Sequence, residues 1–322
     1  MLNLTPAEID LVRAAEDIDT KDVLDEIYKF SSVSWEHPLR EDDVMEWLSN
    51  FNGHALGSAG AERNLATWLL SGFVYFSLDD VRNYCKDIFK EFLHTKLAEY
   101  HTQNLYQELT TAEQIAHVLD NTLFLALGNK SESGSNILYY FRQDNALGTS
   151  LFDLVEGKTY ENVVFIDDVT LSGIQAMKYI SEERTNVSAN NCYLLTFLAT
   201  QTAIGDITPM HVHVLCANIL SEREQCFSEE SYIFASSSRK IFLPIARKMC
   251  EYYGNIITAG HPEVNGFPLG IDQVQGLFCF FYNTPDNTLP IFWCNQHGWK
   301  PIFKRYEKII DKAVHLNDSQ YV

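Results

Sequence analysis

Two adjacent aspartates, Asp167 and Asp168, follow an apolar run at positions 163–166. A short apolar run predicts a buried strand, and the two acids then stand at its carboxyl end. In open α/β sheets, ligands bind just beyond the carboxyl ends of the strands. Carboxylates in contact with a phosphate would repel it, so we expect these two to face neutral hydroxyls or a divalent cation.

A short polar loop and a predicted helix follow the acids. The loop contains Thr170, Ser172 and Gly173, and the helical pattern continues from Ile174. Hydroxyls and backbone N–H groups at a helix start suit an anion, which a helix terminus stabilises by up to about 2 kcal/mol. Gly173 would let the backbone approach a phosphate closely. A ribose 5-phosphate fits this pattern, and a buried strand with a solvated turn is the alternative interpretation.

A second strand–loop–helix pattern lies one crossover earlier. The apolar run 123–127 leads into the loop 128–136. The loop offers a lysine and a run of small residues, namely Lys130, Ser133, Gly134 and Ser135. Lys130 would add a point charge and the small residues could donate N–H groups. A flexible surface loop with a helix cap is the alternative.

The stretch from Val163 to Gln175 resembles the phosphoribosyl-pyrophosphate motif of the type I phosphoribosyltransferases. The resemblance implies that Asp167 and Asp168 are catalytic residues that hold the ribose 2- and 3-hydroxyls and Mg²⁺ indirectly. It also implies that the earlier loop cradles pyrophosphate. The residues that would wrap the 5-phosphate are Thr170, Leu171, Ser172, Gly173, Ile174 and Gln175.

This sequence departs from the motif at three of those positions. Thr170 and Leu171 stand where an aliphatic and then a small residue are usual. Gln175 stands where a Thr or Ser hydroxyl normally reaches the phosphate.

A polar, proline-containing segment at 283–293 extends the resemblance towards the end of the chain. Together with the two loops, it is similar to the PRTase-CE proteins of bacterial conflict loci, some of which accompany retrons as effectors. The similarity covers roughly residues 20–305. We expect the segment to form one wall of the site, with Asn287 or Trp293 near a base. A structural loop that braces the sheet is the alternative.

Composition limits the choice of partners. The chain of 322 residues has a formal net charge of −19, which opposes an extensive direct contact with nucleic acid. Its seven cysteines include no C-x-x-C pair, which is typical of free thiols in a reducing cytoplasm. The first residues do not resemble a signal peptide, and no apolar run approaches the ~18 residues of a membrane span.

The pattern of apolar residues changes near position 115. Residues 1–115 show mainly helical spacing and are predicted to form a helical N-terminal region or lid, with a flexible connector at 53–60. Residues 116–322 contain short apolar runs separated by predicted helices, which indicates a Rossmann-like, mostly parallel α/β sheet with irregular C-terminal loops. Among the predicted strands are those at 232–235 and 277–282.

The sequence therefore predicts a phosphoribosyltransferase-like effector of the α/β class. It would bind phosphoribosyl pyrophosphate or a related ribose-phosphate nucleotide and act at the anomeric carbon by transfer or hydrolysis. The resemblance implies a role in bacterial antiphage defence, with a reverse transcriptase–DNA complex or a winged-helix protein as partner, and the enzyme would be a nucleotide-consuming toxin if water is the acceptor. A non-catalytic nucleotide sensor that switches a partner is the alternative, and the acceptor and oligomeric state stay open.

Overall fold

The protein is described here by a computed structural model that covers residues 2–128, 133–303 and 305. Helices and parallel strands alternate in the second half of the chain. The helices and strands in chain order are α1 (Pro6–Glu16), α2 (Lys21–Ser34), α3 (Glu41–Leu48), α4 (Ala59–Ser71), β1 (Val74–Phe76), α5 (Leu78–Thr102), α6 (Thr111–Asp120), β2 (Thr122–Ala126), α7 (Ser133–Asp144), β3 (Thr159–Thr170), α8 (Ile174–Glu183), β4 (Ser188–Thr200), α9 (Gln201–Ile207), β5 (Val212–Leu220), α10 (Ser237–Lys240), α11 (Leu243–Ile257), β6 (Phe278–Phe280) and α12 (Pro290–Trp293).

The N-terminal region is helical, as the sequence predicts. Capping boxes begin α1 at Thr5, α5 at Ser77 and α6 at Thr110, where each side chain accepts a backbone N–H of the first turn. The exception is β1, which pairs in parallel with β6 from the far end of the chain. None of the described helices is both long and apolar enough to cross a membrane.

The central sheet has four parallel strands in the order β2-β3-β4-β5, which confirms the predicted α/β class. Strand β2 is short, and its pairing with β3 ends at Ala126 and Ile166. Strand β4 continues beside β3 as far as Thr170. In the described residues, β3 therefore has a neighbour on one side only beyond Ile166.

Helices cover both faces of this sheet. On one face, Ile137 and Phe141 of α7 pack with residues of α5 and with alternate residues of β3. On the other face, Ala176 and Ile180 of α8 pack with the intervening residues of β3, as does α9. Helix α7 connects β2 to β3, and α8 connects β3 to β4, so both crossovers move one strand in the same direction across the sheet. Because the two helices lie on opposite faces, the two crossovers have opposite handedness.

A separate apolar core joins the two ends of the chain. It combines the helices α1–α4 with residues between 226 and 303. The Trp47 indole N–H donates to the Ile291 carbonyl at 2.8 Å, although the two residues are 244 positions apart. The N-terminal helices thus pack on the C-terminal part of the chain, and a domain boundary at residue 115 stays a prediction.

Two predicted strands at the C-terminal end need correction. Residues 232–235 form a 3-10 turn at Tyr232–Phe234 rather than a strand. Its first hydrogen bond closes locally, from the Phe234 N–H to the Ser231 carbonyl, and Ile233 and Phe234 are buried among the helices. The strand expected at 277–282 is reduced to β6, which pairs with β1 outside the central sheet.

A buried carboxylate holds the glycine-rich connector at 53–60 in place. Glu62 is fully buried, and it accepts backbone N–H groups from Gly53, Ala55 and Leu56 at 2.7–2.9 Å. The Tyr253 hydroxyl of α11 donates to the same carboxylate at 2.6 Å. The expected flexible connector is therefore a turn fixed by hydrogen bonds to one side chain.

We predict that Glu62→Gln lowers the free energy of unfolding by about 3 kcal/mol, because an amide cannot accept all four donors. Urea titration followed by circular dichroism measures this change. Glu46→Gln is the matched control, since its carboxylate is 57% exposed, and should change stability by no more than about 0.5 kcal/mol. An unchanged midpoint for Glu62→Gln would contradict this role.

Candidate functional site

The two acids lie within β3 rather than after it. The strand continues through Val169 and Thr170, because β4 keeps pairing with it: Asp167 lies opposite Thr196, and Thr170 lies opposite Ala199. The strand is therefore longer than the apolar run predicts. The acids still stand beyond the end of β2, where β3 pairs with β4 alone among the described strands.

Asp168 is held by protein groups. It is 6% exposed, and the Tyr282 hydroxyl donates to its Oδ2 at 3.0 Å. The backbone N–H of Val169 donates to Oδ1 at 2.9 Å. Burial and the neighbouring carboxylates of Asp168 and Asp167 raise the pKa of Tyr282 well above its ordinary value, so the phenol remains a proton donor at neutral pH.

A hydrogen bond connects the loop after β3 to the start of helix α9. Leu171 is buried, and its carbonyl accepts the Thr200 hydroxyl at 2.6 Å, while Thr200 also caps α9. Gly173 has a φ of 74°, and a Cβ there would lie 3.4 Å from the Ala203 backbone. The turn therefore requires the left-handed conformation that glycine adopts without strain.

Thr170 contributes a buried hydroxyl without a partner. The residue is 3% exposed, and its Oγ1 has no hydrogen-bond partner within the described part of the chain. A buried, unpaired hydroxyl costs roughly 1–3 kcal/mol relative to a satisfied one. Such a group indicates strain or a place for a ligand atom.

The acids and the loop line an open cleft of about 490 Å³, a size typical of small-molecule sites. Asp167 is partly exposed on it. The lining from β3, the loop and α8 is Asp167, Val169, Thr170, Leu171, Ser172, Gly173, Ile174, Gln175, Ala176, Lys178 and Tyr179, and the opposite wall is Ile271, Asp272, Asp286 and Asn287.

Two C-terminal segments bind each other to form that opposite wall. The Ile271 N–H donates to the Asp286 carbonyl and the Gly276 N–H to the Asn287 carbonyl, both at 3.0 Å. A Cβ at Gly270 would collide with the Asn287 carbonyl, and its φ is 88°. Three other residues of this wall also have positive φ, namely Asp272, Gln273 and Gln275. Each such residue costs about 1–2 kcal/mol, and such strain is concentrated at functional sites.

The charges on the cleft are mixed. Three acids, Asp167, Asp272 and Asp286, share it with Lys178. Arg305 donates to Asp286 at 3.1 Å and to Glu263 at 2.9 Å, so the charge of Asp286 is partly balanced within the protein. Binding of an anion in this cleft therefore depends on Lys178, on the N-terminus of α8 and on any cation that accompanies the anion.

The carboxylates on the cleft fit a magnesium ion only if a bound ligand supplies the other coordinating oxygens. Among the residues that the structure describes, no three His, Cys, Asp or Glu side chains are placed to hold a metal. Magnesium is commonly held by one or two carboxylates, waters and substrate phosphates. Asp167 is partly exposed on the cleft and is therefore the carboxylate placed to contact such an ion, whereas Asp168 accepts a hydrogen bond from Tyr282.

The structure brings only some of the predicted site residues together. Asn287 lines the cleft, and its amide donates to the Ile271 carbonyl at 3.3 Å. Trp293 is 3% exposed, its indole N–H donates to the Thr288 carbonyl at 2.9 Å, and it is not among the lining residues. Lys130 lies outside the described residues. Ser133, Gly134 and Ser135 begin α7, and their side chains are likewise outside the description.

Sequence reasoning missed several residues of the site. Lys178 and Tyr179 lie one helical turn beyond Ile174 and Gln175. Because residues four apart share a helix face, the spacing could have predicted that they line the same cleft. Tyr282 is 114 positions from Asp168, and no local pattern signals that contact.

The parallel sheet, the acid pair in β3 and the loop into α8 define a phosphoribosyltransferase-like α/β protein. The family model PRTase-CE matches residues 44–305, and the chain belongs to that family. Among solved structures, it is similar to orotate phosphoribosyltransferase from Aeropyrum pernix, with 14% sequence identity and a TM-score of 0.23. That match covers 34% of this chain and 73% of the other. No curated protein matches the chain.

We predict that Tyr282→Phe lowers the free energy of unfolding by about 2 kcal/mol, because a buried carboxylate loses a hydrogen bond. Urea titration measures the loss. Tyr139→Phe removes a hydroxyl from a side chain that is 53% exposed, and should leave stability within about 0.5 kcal/mol. Equal effects of the two substitutions would mean that the Tyr282–Asp168 contact contributes nothing specific.

Proposed function

We propose that the cleft binds phosphoribosyl pyrophosphate or a related ribose-phosphate nucleotide, and that the protein acts at the ribose anomeric carbon by transfer or hydrolysis. The observation that carries the proposal is the Thr170 hydroxyl, which has no partner among the described residues and lies in the wall that also presents Asp167 and the start of α8. A sugar phosphate carries both kinds of group that this wall can bind: hydroxyls for the acid and a phosphate for the loop.

Each group of the wall has a part in this proposal. Asp167 accepts hydrogen bonds from the ribose hydroxyls, and Asp168, fixed by Tyr282, positions the strand beneath them. The N–H groups at the start of α8 and the Ser172 hydroxyl bind the phosphate. Gln175 replaces the usual hydroxyl, and its amide N–H₂ could donate in its place. Lys178 supplies the one lysine charge on the described lining.

The chemistry would be displacement through an oxocarbenium-like state. The protein's contribution is to hold the ribose and to stabilise the charge that develops as the leaving group departs. When bound with the substrate, Mg²⁺ supplies positive charge for a departing pyrophosphate. The acceptor would be a base or water, and water would make the protein a nucleotide-consuming toxin.

A nucleotide sensor without turnover is the second candidate. The contact between Tyr282 and Asp168 favours it, because one of the two acids is already committed to the protein. In either case, we propose a cytoplasmic role in bacterial antiphage defence. The partner would be a reverse transcriptase–DNA complex or a winged-helix protein, and the net charge of −19 favours a partner that supplies the basic surface.

The proposal is tested by incubating the purified chain and Mg²⁺ with labelled phosphoribosyl pyrophosphate, NAD and nucleoside phosphates. We predict release of pyrophosphate or free base, and a loss of about 100-fold or more in turnover for Asp167→Asn, because the ribose is no longer positioned. Asp10→Asn, on the exposed face of α1, is the control and should keep full activity. Ligand-induced melting shifts without product would support the sensor, and no shift with any ribose phosphate would contradict both candidates.

We further predict that Thr170→Val leaves the stability of the free protein unchanged or raises it by about 1 kcal/mol, since no hydrogen bond is lost. The same substitution should weaken ribose-phosphate binding about fivefold or more, as measured by titration calorimetry. Thr258→Val is the matched control: Thr258 is 1% exposed, but its hydroxyl donates to the Gly254 carbonyl at 2.8 Å. It should lose stability and keep affinity, and the opposite pattern would contradict the role of Thr170.

A further inference from the structure

Helix α2 and the end of α4 border a groove of about 440 Å³. Phe30 lines this groove and is 61% exposed, although it is a large aromatic side chain. The groove shares no lining residue with the proposed ligand cleft. Six of its lining residues are apolar, namely Val23, Ile27, Phe30, Trp35, Leu70 and Phe73, and the others are Glu26, Ser71 and Arg239.

Trp35 gives the groove a donor that is not used. The residue is 8% exposed, and its indole Nε1–H has no hydrogen-bond partner within the described part of the chain. The ring stacks on Tyr75 with 4.8 Å between the ring centroids, and Phe30 meets it edge-on at 6.4 Å. A buried indole N–H usually finds an acceptor. We therefore expect a group outside the described residues to supply one.

The described part of the chain ends beside this groove. The Phe303 ring lies 5.7 Å from that of Trp35 and 4.1 Å from that of Phe73, and both partners line the groove. Arg305 donates to Asp286 and Glu263, which fixes the chain at its last described residue. Since consecutive Cα atoms are about 3.8 Å apart, residue 306 lies within about 11 Å of the Phe303 Cα. Residues 306–322 therefore begin within reach of the groove.

The sequence after Arg305 has the pattern of an amphipathic helix. Its apolar residues recur at positions i, i+3, i+4, i+7 and i+8, namely Tyr306, Ile309, Ile310, Ala313 and Val314. The charged residues between them fall on the opposite face, namely Glu307, Lys308, Asp311 and Lys312. A helix over 306–316 would be about 16 Å long, and an isolated helix of this length is marginal in water. Such a segment needs an apolar surface to pack against.

We propose that residues 306–316 form a helix whose apolar face packs in this groove of the same chain, against Phe30 and Trp35. The groove supplies the apolar surface that the segment needs, and the segment starts beside it. A segment tethered so close has a high effective concentration at the groove, which favours it over a second copy or another protein. The groove carries one acid and one base, and the segment carries charges of both signs, so no net repulsion opposes the contact.

Hydrogen–deuterium exchange on the full chain tests the proposal. We expect amides of 306–316 to exchange at least about tenfold more slowly than in an unstructured peptide. Phe30→Asp in the groove and Ile310→Asp in the segment should each speed that exchange about fivefold or more, because a charge replaces an apolar contact. Ile310→Asp should also speed exchange in α2.

Two matched controls separate docking from a general effect of an added aspartate. Lys308→Asp changes the predicted polar face of the segment, and Ile256→Asp changes a 46% exposed position on α11. Both should leave the exchange of 306–316 unchanged. Circular dichroism checks that each variant is folded, and if Phe30→Asp is not, the α2 readout in Ile310→Asp decides.

Three results would overturn the proposal. Exchange of 306–316 at the rate of an unstructured peptide would mean that the segment does not dock. Protection that survives Phe30→Asp or Ile310→Asp would mean that the contact lies elsewhere. Protection that disappears on dilution, together with a dimeric mass in light scattering, would mean that the groove takes the segment of a second copy.

Discussion

The site depends on the unequal lengths of the strands on the two sides of β3. The pairing of β2 with β3 ends at Ile166, whereas β4 stays paired with β3 to Thr170. The next residues, Asp167 and Asp168, therefore stand on a part of β3 that, among the described strands, pairs with β4 alone. Asp167 and the residues that follow Asp168 line the cleft from this backbone.

Two contacts from distant parts of the chain fix this arrangement. Tyr282 donates to Asp168 from the segment after β6, and Thr200 at the start of α9 donates to the Leu171 carbonyl in the loop. The strand and the loop are thus held before any ligand binds, which reduces the entropy that binding must overcome. In the wall at 270–287, several residues adopt the unfavourable left-handed conformation, and this conformation accompanies the position of their backbone beside the cleft.

The sequence predicted those features that depend on local pattern. Helical spacing before position 115 located the N-terminal helices, and the apolar run before Asp167 located the central strand. Asn287 was placed in the wall because its loop is polar and rich in turn residues. In each case, the physical cause acts within a few residues along the chain, and a sequence pattern can record it.

The features that the sequence did not predict depend on which elements become neighbours. The length of β3 follows from continued pairing with β4, and the short β1 exists only because β6 lies beside it. Trp293 was expected near a base, but its indole N–H is satisfied by the Thr288 carbonyl in a core shared with the N-terminal helices. No property of these segments alone reveals such contacts.

Hydrogen–deuterium exchange with and without phosphoribosyl pyrophosphate and Mg²⁺ tests the central claim most directly, because it reports where the ligand acts as well as whether it binds. The account predicts slower exchange in peptides covering residues 167–176 and 270–287, with little change in α1–α4. Slower exchange confined to other parts of the chain, or none at saturating ligand, would contradict the assignment of the cleft.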